Sequence, residues 1–536
     1  MDRHSGLRRN DGSAYTMHPA LRYAISALLG ALAALGYAPI GWFPLPILTL
    51  AGLFWLAREA APGRAFLLGW AYGLGLFLAG VSWIFVSIST YGGMPFPIAA
   101  LATLLFCAFM ALWPAAALSL GARLAASGWT RSALALPVAW ALLEWTRGWL
   151  LTGFPWLALG YSQVPASPLA GYAPVLGVYG VTLLAALSAG ALTLMARFGR
   201  SAILCRHASD AECRQGIADQ RSRWAFAFLA VLWLGGWGLQ QIDWTQPAGA
   251  PVSVALLQGN IAQDMKFRPE KLDETLRHYA RAVLASQAKL IILPETALPL
   301  FRSDIPRDYL GMLADHAKKR GGDVLAGVPE DDGRDTNGNA RYYNSVISLG
   351  GSPEGRYAKA HLVPFGEFVP FGFRWAVDMM SIPLGDFARG AADQPALAAA
   401  GEKLAVNVCY EDVFGEERIH AARDATLLVN VSNDAWFGDS WAPWQHMQIG
   451  AMRSLEAGRW QLRANNTGIT AILDDKGRVR AQLAPFTTGT LTGDAQGRIG
   501  DTPYLIWGNW AFLALVATLL AMHAIFNSPL RRKSTP

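Results

Sequence analysis

The stretch Leu404–Phe414, LAVNVCYEDVF, decides how the rest of the chain is read. It runs apolar from Leu404 to Val408, interrupted only by Asn407, and then gives way to Cys409, Tyr410, Glu411 and Asp412. A short apolar run with polar residues behind it predicts a buried strand, and the acids predict the start of a helix. The thiol would then stand at the strand's C-terminal end. There the N–H groups and partial positive charge of a helix N-terminus would favour a thiolate. A buried core cysteine is the competing reading, because free Cys is among the most buried residue types.

Charged residues make up 16% of the 536 residues, well below the usual quarter, and hydrophobic residues make up 53%. Residues 21–240 are long apolar runs broken by short basic loops, 251–500 mix strands, turns and charges, and 503–526 are apolar again. This pattern predicts a polytopic α-helical membrane domain with one soluble domain set into it. The candidate spans are 21–40, 44–57, 65–90, 97–121, 132–151, 171–196, 224–241 and 503–526, about eight in all, with seven as the nearest alternative. Two are weak: 44–57 is short, and 132–151 holds Pro137, Glu144 and Arg147. The first run reads as a retained helix rather than a cleaved signal peptide, because more spans follow closely. The expected division is a seven-span domain at 1–245, a soluble domain at 246–502, and a last helix with a basic tail at 503–536.

With eight spans and a cytoplasmic N-terminus, the cytoplasmic segments and adjoining span ends carry 17 Lys and Arg residues, among them Arg58, Arg64, Arg123, Arg131 and Arg221. The three short outer loops carry none, and Arg147 at the end of the fifth span is the nearest. That asymmetry is the positive-inside pattern, and it places the soluble domain outside the cytoplasm. It also makes much of the net charge of +6 topological, so no nucleic-acid partner is expected. Cys107 lies in a span, Cys205 and Cys213 lie in a basic cytoplasmic loop, and Cys409 alone lies in the outer domain. A lone thiol in an oxidising compartment has no local disulfide partner, which favours a cysteine that is used.

From 251 onward, strands alternate with helices: Val252–Leu257, helix Pro269–Ser286, Lys289–Leu293, helix Arg307–Lys319 and Val324–Val328. A hairpin near Tyr343–Leu349 and Gly355–Ala360 follows the turn-rich DDGRDTNGN. Beyond the Cys409 strand come Thr426–Asn430, a helix near Pro443–Glu456, and strands near Gln461–Asn465, Thr470–Leu473 and Val479–Leu483. The alternation predicts an α/β domain with helices packed on its sheets.

Three other strand ends in this domain are chemically loaded. Leu293-Pro294-Glu295 places a carboxylate just past a buried strand, where desolvation raises its proton affinity toward that of a general base; a helix-start acid is the bland alternative. Lys359 sits among apolar neighbours in YAKAHLVP, where a surface lysine would not be expected. Glu367, in the loop PFGEFVP, needs a partner such as Lys359. A thiolate attacking an acyl carbon, a Glu moving protons and a Lys neutralising the oxyanion would make one mechanism. His361, His420 and His446 have no ligand-like spacing, so neither a metal nor a cofactor is expected.

LPETALP at 293–299, YAKAHLVPFGEFVP at 357–370 and NVCYEDVF at 407–414 resemble the Glu–Lys–Cys signature of the carbon–nitrogen hydrolase (nitrilase) superfamily. With the membrane spans, QGNI at 258–261, NVSNDAWFGDSWAPWQH at 430–446 and RANNTGITA at 463–471, the chain is similar end to end to the apolipoprotein N-acyltransferase family. The resemblance implies a nitrilase-like αββα sandwich on the membrane base. Glu295 would be general base, Lys359 oxyanion partner and Cys409 nucleophile, with Glu367 a supporting acid and Tyr410 and Glu411 shaping the site. Phe267, where the family pattern leads one to expect Trp, and Trp436 would contact substrate. The implied reaction is ping-pong, and it is the last step of lipoprotein maturation. A phospholipid, typically phosphatidylethanolamine, would acylate Cys409 as a thioester, and the α-amino group of the N-terminal diacylglyceryl-cysteine of a bacterial apolipoprotein would accept the acyl chain. The implied location is the bacterial inner membrane, multi-pass, with the catalytic domain periplasmic.

Trp42, Phe43, Tyr91, Phe96, Trp149, Phe154, Trp156 and Tyr161 crowd the outer loops, as an interfacial aromatic belt does, and could line a lipid entrance. A membrane-anchored amidase or lipid hydrolase, with water as acceptor, is the alternative activity; a non-catalytic scaffold or transporter is the alternative class. The arginine asymmetry makes one prediction of its own. A reporter active only outside the cytoplasm should work when fused after Gly249 and fail when fused at Asp210, and the opposite pattern would invert the topology.

Overall fold

Prolines set where the helices of the N-terminal half begin. Pro19, Pro44 and Pro62 stand at or next to the first turn of α1 (Pro19–Ala33), α2 (Pro44–Ala57) and α3 (Pro62–Val81). A missing N–H is harmless there, and the fixed φ is already helical. The helices α4 (Phe96–Met110), α5 (Leu112–Leu124), α6 (Leu136–Arg147), α7 (Ala173–Leu204) and α8 (Ala211–Leu239) follow. The computed structural model describes residues 17–125, 128–204, 211–334, 340–370, 372 and 387–527. Arg3, Arg8, Arg9, Cys205, Arg206, Asp210 and the basic tail from Arg531 lie outside the described residues, as do the side chains of Arg197, Arg200, Cys213 and Arg214.

Four described helical segments are long and apolar enough to cross a membrane: Pro19–Gly36, Pro62–Val81, Phe96–Leu124 and Pro168–Ala196. Pro44–Ala57 and Trp510–Ile525 are shorter apolar helices. All six fall on expected spans. The expected span at 132–151 is less uniform than drawn, because α6 ends at Arg147 and a short helical turn, Leu150–Thr152, follows with Leu151 at φ 55°. Glu144, inside α6, is buried and accepts from Trp140 Nε1 at 3.1 Å, Leu159 N at 2.9 Å and Thr182 Oγ1 at 3.1 Å. The expected span at 224–241 is the C-terminal part of α8. Close backbone approach holds α1 to α3: a Cβ on Gly75 would stand 2.0 Å from the Ala27 carbonyl oxygen.

In the second half, side chains alternate between the two faces of each strand, and in the central strands both faces are buried. The first sheet contains β1 (Val252–Gln258), β2 (Leu290–Ile292), β3 (Asp323–Arg334), β4 (Ala340–Gly350) and β5 (Gly355–Ala358). The second contains β6 (Leu397–Ala399), β7 (Glu402–Val408), β8 (Leu427–Ser432), β9 (Trp460–Asn465), β10 (Ala471–Leu473) and β11 (Val479–Gln482). A further strand, β12 (Gly489–Ala495), returns to the first sheet, giving the orders β12-β1-β2-β3-β4-β5 and β11-β10-β9-β8-β7-β6, and a separate antiparallel pair joins Gln246–Pro247 to Arg498–Ile499. Val254, Leu256 and Ile292 face Val406, Val408 and Val429 in one core between the sheets. Ala255, Leu257 and Ile291 face outward onto α9 (Pro269–Ala285) and α10 (Arg307–Lys318). On the far side α11 (Ala442–Ala457) covers the second sheet, which completes the four αββα layers.

Strands β6 and β12 were not expected, nor was the short pair Gln246–Pro247 with Arg498–Ile499. Three residues are too few to show a period, and GTLTGDA buries only Leu491 and Ala495 completely. β3 runs through Asp331 and Asp332 to Arg334, where a turn was expected, and the remainder of DDGRDTNGN lies outside the described residues. The helix expected behind Cys409 is one 3₁₀ segment, Cys409–Val413.

The soluble domain sits on the end of the bundle that carries the loops free of Lys and Arg. Ala38 N donates to Gln448 Oε1 at 2.9 Å, Ser87 Oγ to the Trp436 carbonyl at 2.7 Å, and Tyr410 OH to the Gly153 carbonyl at 3.0 Å. Gln445 of α11 is the central clamp: its Oε1 accepts from Trp156 Nε1 at 2.7 Å and Trp83 Nε1 at 3.2 Å, and its Nε2 donates to the Gly80 carbonyl at 3.0 Å. Replacing one partner of a buried hydrogen bond leaves the other desolvated, at roughly 1–3 kcal/mol for each orphaned group. Gln445→Leu should therefore lower the thermal midpoint of the purified protein clearly, whereas the exposed Lys271→Ala should leave it unchanged. Equal midpoints in a thermal-shift assay would show that this clamp does not hold the two halves together.

Candidate active site

Three strand ends deliver the site. Glu295 follows β2 after Pro294, Lys359 follows β5, and Cys409 follows β7. Gly327 on β3 lets the Glu295 turn lie close: a Cβ there would be 2.4 Å from the Pro294 carbonyl oxygen and 2.8 Å from Glu295 Cα. Cys409 takes the left-handed conformation, φ 53°, which ends the strand abruptly. Its carbonyl is held by Asn430 Nδ2 and by His446 Nε2, each at 3.2 Å, and His446 Nδ1 in turn meets Asp434 Oδ1 at 3.1 Å.

The carboxylates and the lysine form one buried cluster. Lys359 Nζ donates to Glu367 Oε1 at 2.8 Å and lies 3.6 Å from Glu295 Oε1. Asn344 Nδ2 joins the two acids, at 2.7 Å from Glu295 Oε1 and 3.1 Å from Glu367 Oε1. The other oxygen of Glu367 accepts from Val363 N at 2.9 Å and fixes its own loop. Burial by itself would lower the pKa of Lys359, but Glu367 and then Glu295 override it and hold the ammonium above its ordinary value. Burial, with the Glu295 carboxylate adding to it, pushes the Cys409 thiol well up against the opposing effect of Lys359. Burial and Glu295 therefore favour the protonated thiol over the thiolate. A single 3₁₀ turn does not supply the field of a longer helix, and the expectation that the helix N-terminus would favour a thiolate is corrected by burial and Glu295.

Glu411, 1% exposed, ties two of the strand ends together. It accepts from Val408 N at 2.8 Å on the Cys409 side, and from Ala360 N at 2.7 Å, His361 N at 3.0 Å and Tyr357 OH at 2.9 Å on the Lys359 side. Tyr410 packs against Phe414 and anchors on Gly153. Trp436 meets Tyr91 edge-on, ring centroids 5.8 Å apart, and Phe267 is 53% exposed beyond the cluster.

Several members were not singled out from the sequence: Asn344, Asn430, Asp434, His446 and Lys266. Lys266, the chain neighbour of Phe267, is 3% exposed, and its Nζ donates to the Glu295 carbonyl at 2.9 Å. Burial lowers its pKa to about 8 against the raising effects of Glu295 and Cys409. A polar residue flanked by apolar ones, as in Tyr343-Asn344-Ser345-Val346, is a weak local signal. Only the fold shows what it faces. Among the described residues, no group of three or more His, Cys, Asp or Glu is placed to hold a metal ion. A thiol, a carboxylate able to carry its proton and a fixed cation can together perform acyl transfer.

Residues 29–191 match the family model described as apolipoprotein N-acyltransferase N-terminal domain, and residues 253–504 match carbon-nitrogen hydrolase. The chain is 47% identical over 523 residues to a Nitrosomonas europaea protein named apolipoprotein N-acyltransferase, covering 97% of this chain and 100% of the relative. Proteins of that name from Chromobacterium violaceum (47% identical, 90% of each chain) and Ralstonia nicotianae (45% identical, 94% of this chain and 93% of the relative) are similar to it as well.

The Glu411 hub gives a test. Glu411→Gln keeps the size but turns a donor toward N–H groups that need an acceptor, at roughly 1–3 kcal/mol for each lost partner. Turnover should fall on the order of 10²-fold or more, an estimate set by the sensitivity of catalysis to misplacements of about 1 Å. The exposed Glu270→Gln should stay near wild type. Full activity in Glu411→Gln would show that the two strand ends are positioned by other means.

Proposed function

This chain belongs to the apolipoprotein N-acyltransferase family, and we propose that it N-acylates the α-amino group of the N-terminal diacylglyceryl-cysteine of bacterial apolipoproteins, drawing the acyl group from a phospholipid. The observation that carries the reading is the meeting of Glu295, Lys359 and Glu367 in one buried cluster whose charges act on Cys409, in a domain clamped onto an apolar helical bundle. A donor and an acceptor that both reside in a bilayer need such a thiol near its surface. A soluble amidase would have no use for the bundle.

In the first half-reaction Glu295 removes the Cys409 proton as sulfur bonds to the acyl carbonyl carbon, and Lys359 faces the oxyanion. The oxyanion collapses, the ester C–O bond breaks, and Glu295 returns the proton to the departing glycerol oxygen, which leaves a lysophospholipid and a thioester. In the second, the α-amino group attacks the thioester, Glu295 takes its N–H proton, the C–S bond breaks and the thiol regains that proton. Keeping the thiol protonated between turnovers suits this order, since attack and proton transfer then occur together. Glu367 holds Lys359 and its own loop, and Tyr410 and Glu411 shape the turn. Phe267 supplies apolar contact area without an indole N–H, and Trp436 supplies an aromatic face at the junction with the bundle. The reading places the protein in the bacterial inner membrane with residues 246–502 on the periplasmic side and residues 1–245 and 503–536 as the membrane part. Phosphatidylethanolamine is the donor we expect.

The test is single-turnover formation of the Cys409 thioester from labelled phosphatidylethanolamine, read by intact mass. Cys409→Ser should form no thioester, and its hydroxyl is a far weaker nucleophile near neutral pH. Glu295→Gln should lose on the order of 10²–10⁴-fold in rate. Glu367→Gln should acylate slowly, because the thiol and its base remain. Fast acylation in Glu295→Gln with none in Glu367→Gln would reverse the two roles. Release of free fatty acid without a lipidated peptide would identify a hydrolase instead.

A further inference from the structure

One buried cation at the site has no part in the mechanism above. Lys266 lies on the loop between β1 and α9, and that loop is stitched to the ends of the second sheet. Ile261 N donates to Asn466 Oδ1 at 3.0 Å, Asn466 Nδ2 to the Ile261 carbonyl at 2.7 Å, and Asn433 Nδ2 to Gln263 Oε1 at 2.6 Å. Two residues of opposite character therefore leave one fixed loop in different directions: Phe267 into the open at 53% exposure, Lys266 into the interior at 3%. An ammonium has three N–H donors, and the recorded partner of this one is a single main-chain carbonyl, that of Glu295, at 2.9 Å. Among the described residues, no carboxylate forms an ion pair with it. A buried charge so sparsely satisfied is costly to keep unless the charge itself is needed.

The charges of the site supply the need. Glu295 and Glu367 bring two negative charges to the cluster and Lys359 one positive charge. When the Cys409 proton moves to Glu295 and the attacked carbonyl becomes an oxyanion, that excess of one negative charge persists and shifts onto the reacting oxygen. A second cation at the Glu295 turn makes the cluster neutral before and during the step.

We propose that Lys266 is a positioning residue that serves as the second cation of the catalytic centre, holding the Glu295 turn by its carbonyl and balancing the charge of the Glu295–Lys359–Glu367–Cys409 cluster while the acyl group is transferred. The inference rests on the acyl-transfer reading above. Glu295 and the Cys409 thiol are the titratable groups that act on Lys266, and Lys359 and Glu367 are bonded beside Glu295. On its own loop, Asp264 and Arg268 are exposed and lie 3.9 Å from each other. The lowered value of about 8 adds a signature: the required charge is present at neutral pH and is lost as pH rises through 8.

The experiment is the rate of Cys409 thioester formation from labelled phosphatidylethanolamine, followed from pH 6 to 10 in the full-length wild type, Lys266→Met and Lys266→Arg. The same lipid is used throughout, so its own ionisation cancels. Wild type should acylate fastest near neutrality and decline above about pH 8. Lys266→Met should lose on the order of 10²-fold at pH 7, the scale of removing one electrostatic stabiliser from such a site. Lys266→Arg, whose charge does not titrate, should recover much of that rate and extend it to higher pH. Melting curves of the three proteins identify a variant that fails to fold, and if Lys266→Met does, the alkaline limb of Lys266→Arg decides alone. Lys266→Met within about twofold of wild type, or an alkaline limb unchanged in Lys266→Arg, would overturn the proposal. A wild type that forms no thioester at all would instead overturn the acyl-transfer reading, and the inference with it.

Discussion

Lys359 is almost completely buried, and an ammonium removed from water is tolerable only where opposite charge compensates it. Glu367 at 2.8 Å and Glu295 at 3.6 Å provide that compensation, and Asn344 fixes the spacing of the two acids. Much else follows from this cluster. Glu367 must have its loop folded back so that Val363 N reaches it, β4 must present Asn344, and the turn after β2 must lie close enough for Gly327 to be the only fitting residue beneath it. The lysine cannot be placed unless β2, β3, β4 and β5 of the first sheet are in register.

The same logic extends to Cys409. Glu411 gathers N–H groups from the Cys409 strand and the Lys359 strand onto one carboxylate, so the thiol and the cation are positioned by a shared anchor rather than independently. Beneath it, Asp412 accepts from Arg463, from Gln461 Nε2 at 3.2 Å and from Asn407 Nδ2 at 2.8 Å. Asn407, the one polar residue in the apolar run that leads to Cys409, is thus part of the support of the turn that follows.

The bundle takes part in this support. Tyr410, next to Cys409, bonds the Gly153 carbonyl, and His361, two residues past Lys359, reaches the Thr152 carbonyl at 3.1 Å. Leu151, Thr152 and Gly153 all have positive φ, and Trp149, Leu150 and Leu151 are exposed at the same loop. An apolar loop from the helical bundle is therefore held by side chains that flank Cys409 and Lys359.

The strands that carry Glu295, Lys359 and Cys409 were legible because each is apolar, short and ended by a residue that burial makes chemically distinctive. The helices of the N-terminal half were legible because about 20 apolar residues leave few other readings. Lys and Arg avoid one set of loops, and the domain that carries Cys409 sits on that end of the bundle. β6 and β12 were not legible, since three residues or a run of Gly and Thr show no period. Nor was the state of the thiol: a local sequence suggests a helix N-terminus, but whether its field prevails depends on how much water and which carboxylate the fold brings near. Lys266 illustrates the limit. Sequence by itself pointed to a helical bundle joined to a layered α/β domain and singled out Glu295, Lys359 and Cys409; which further charges face them depended on tertiary structure alone, because a charge acts through space and dielectric rather than along the chain.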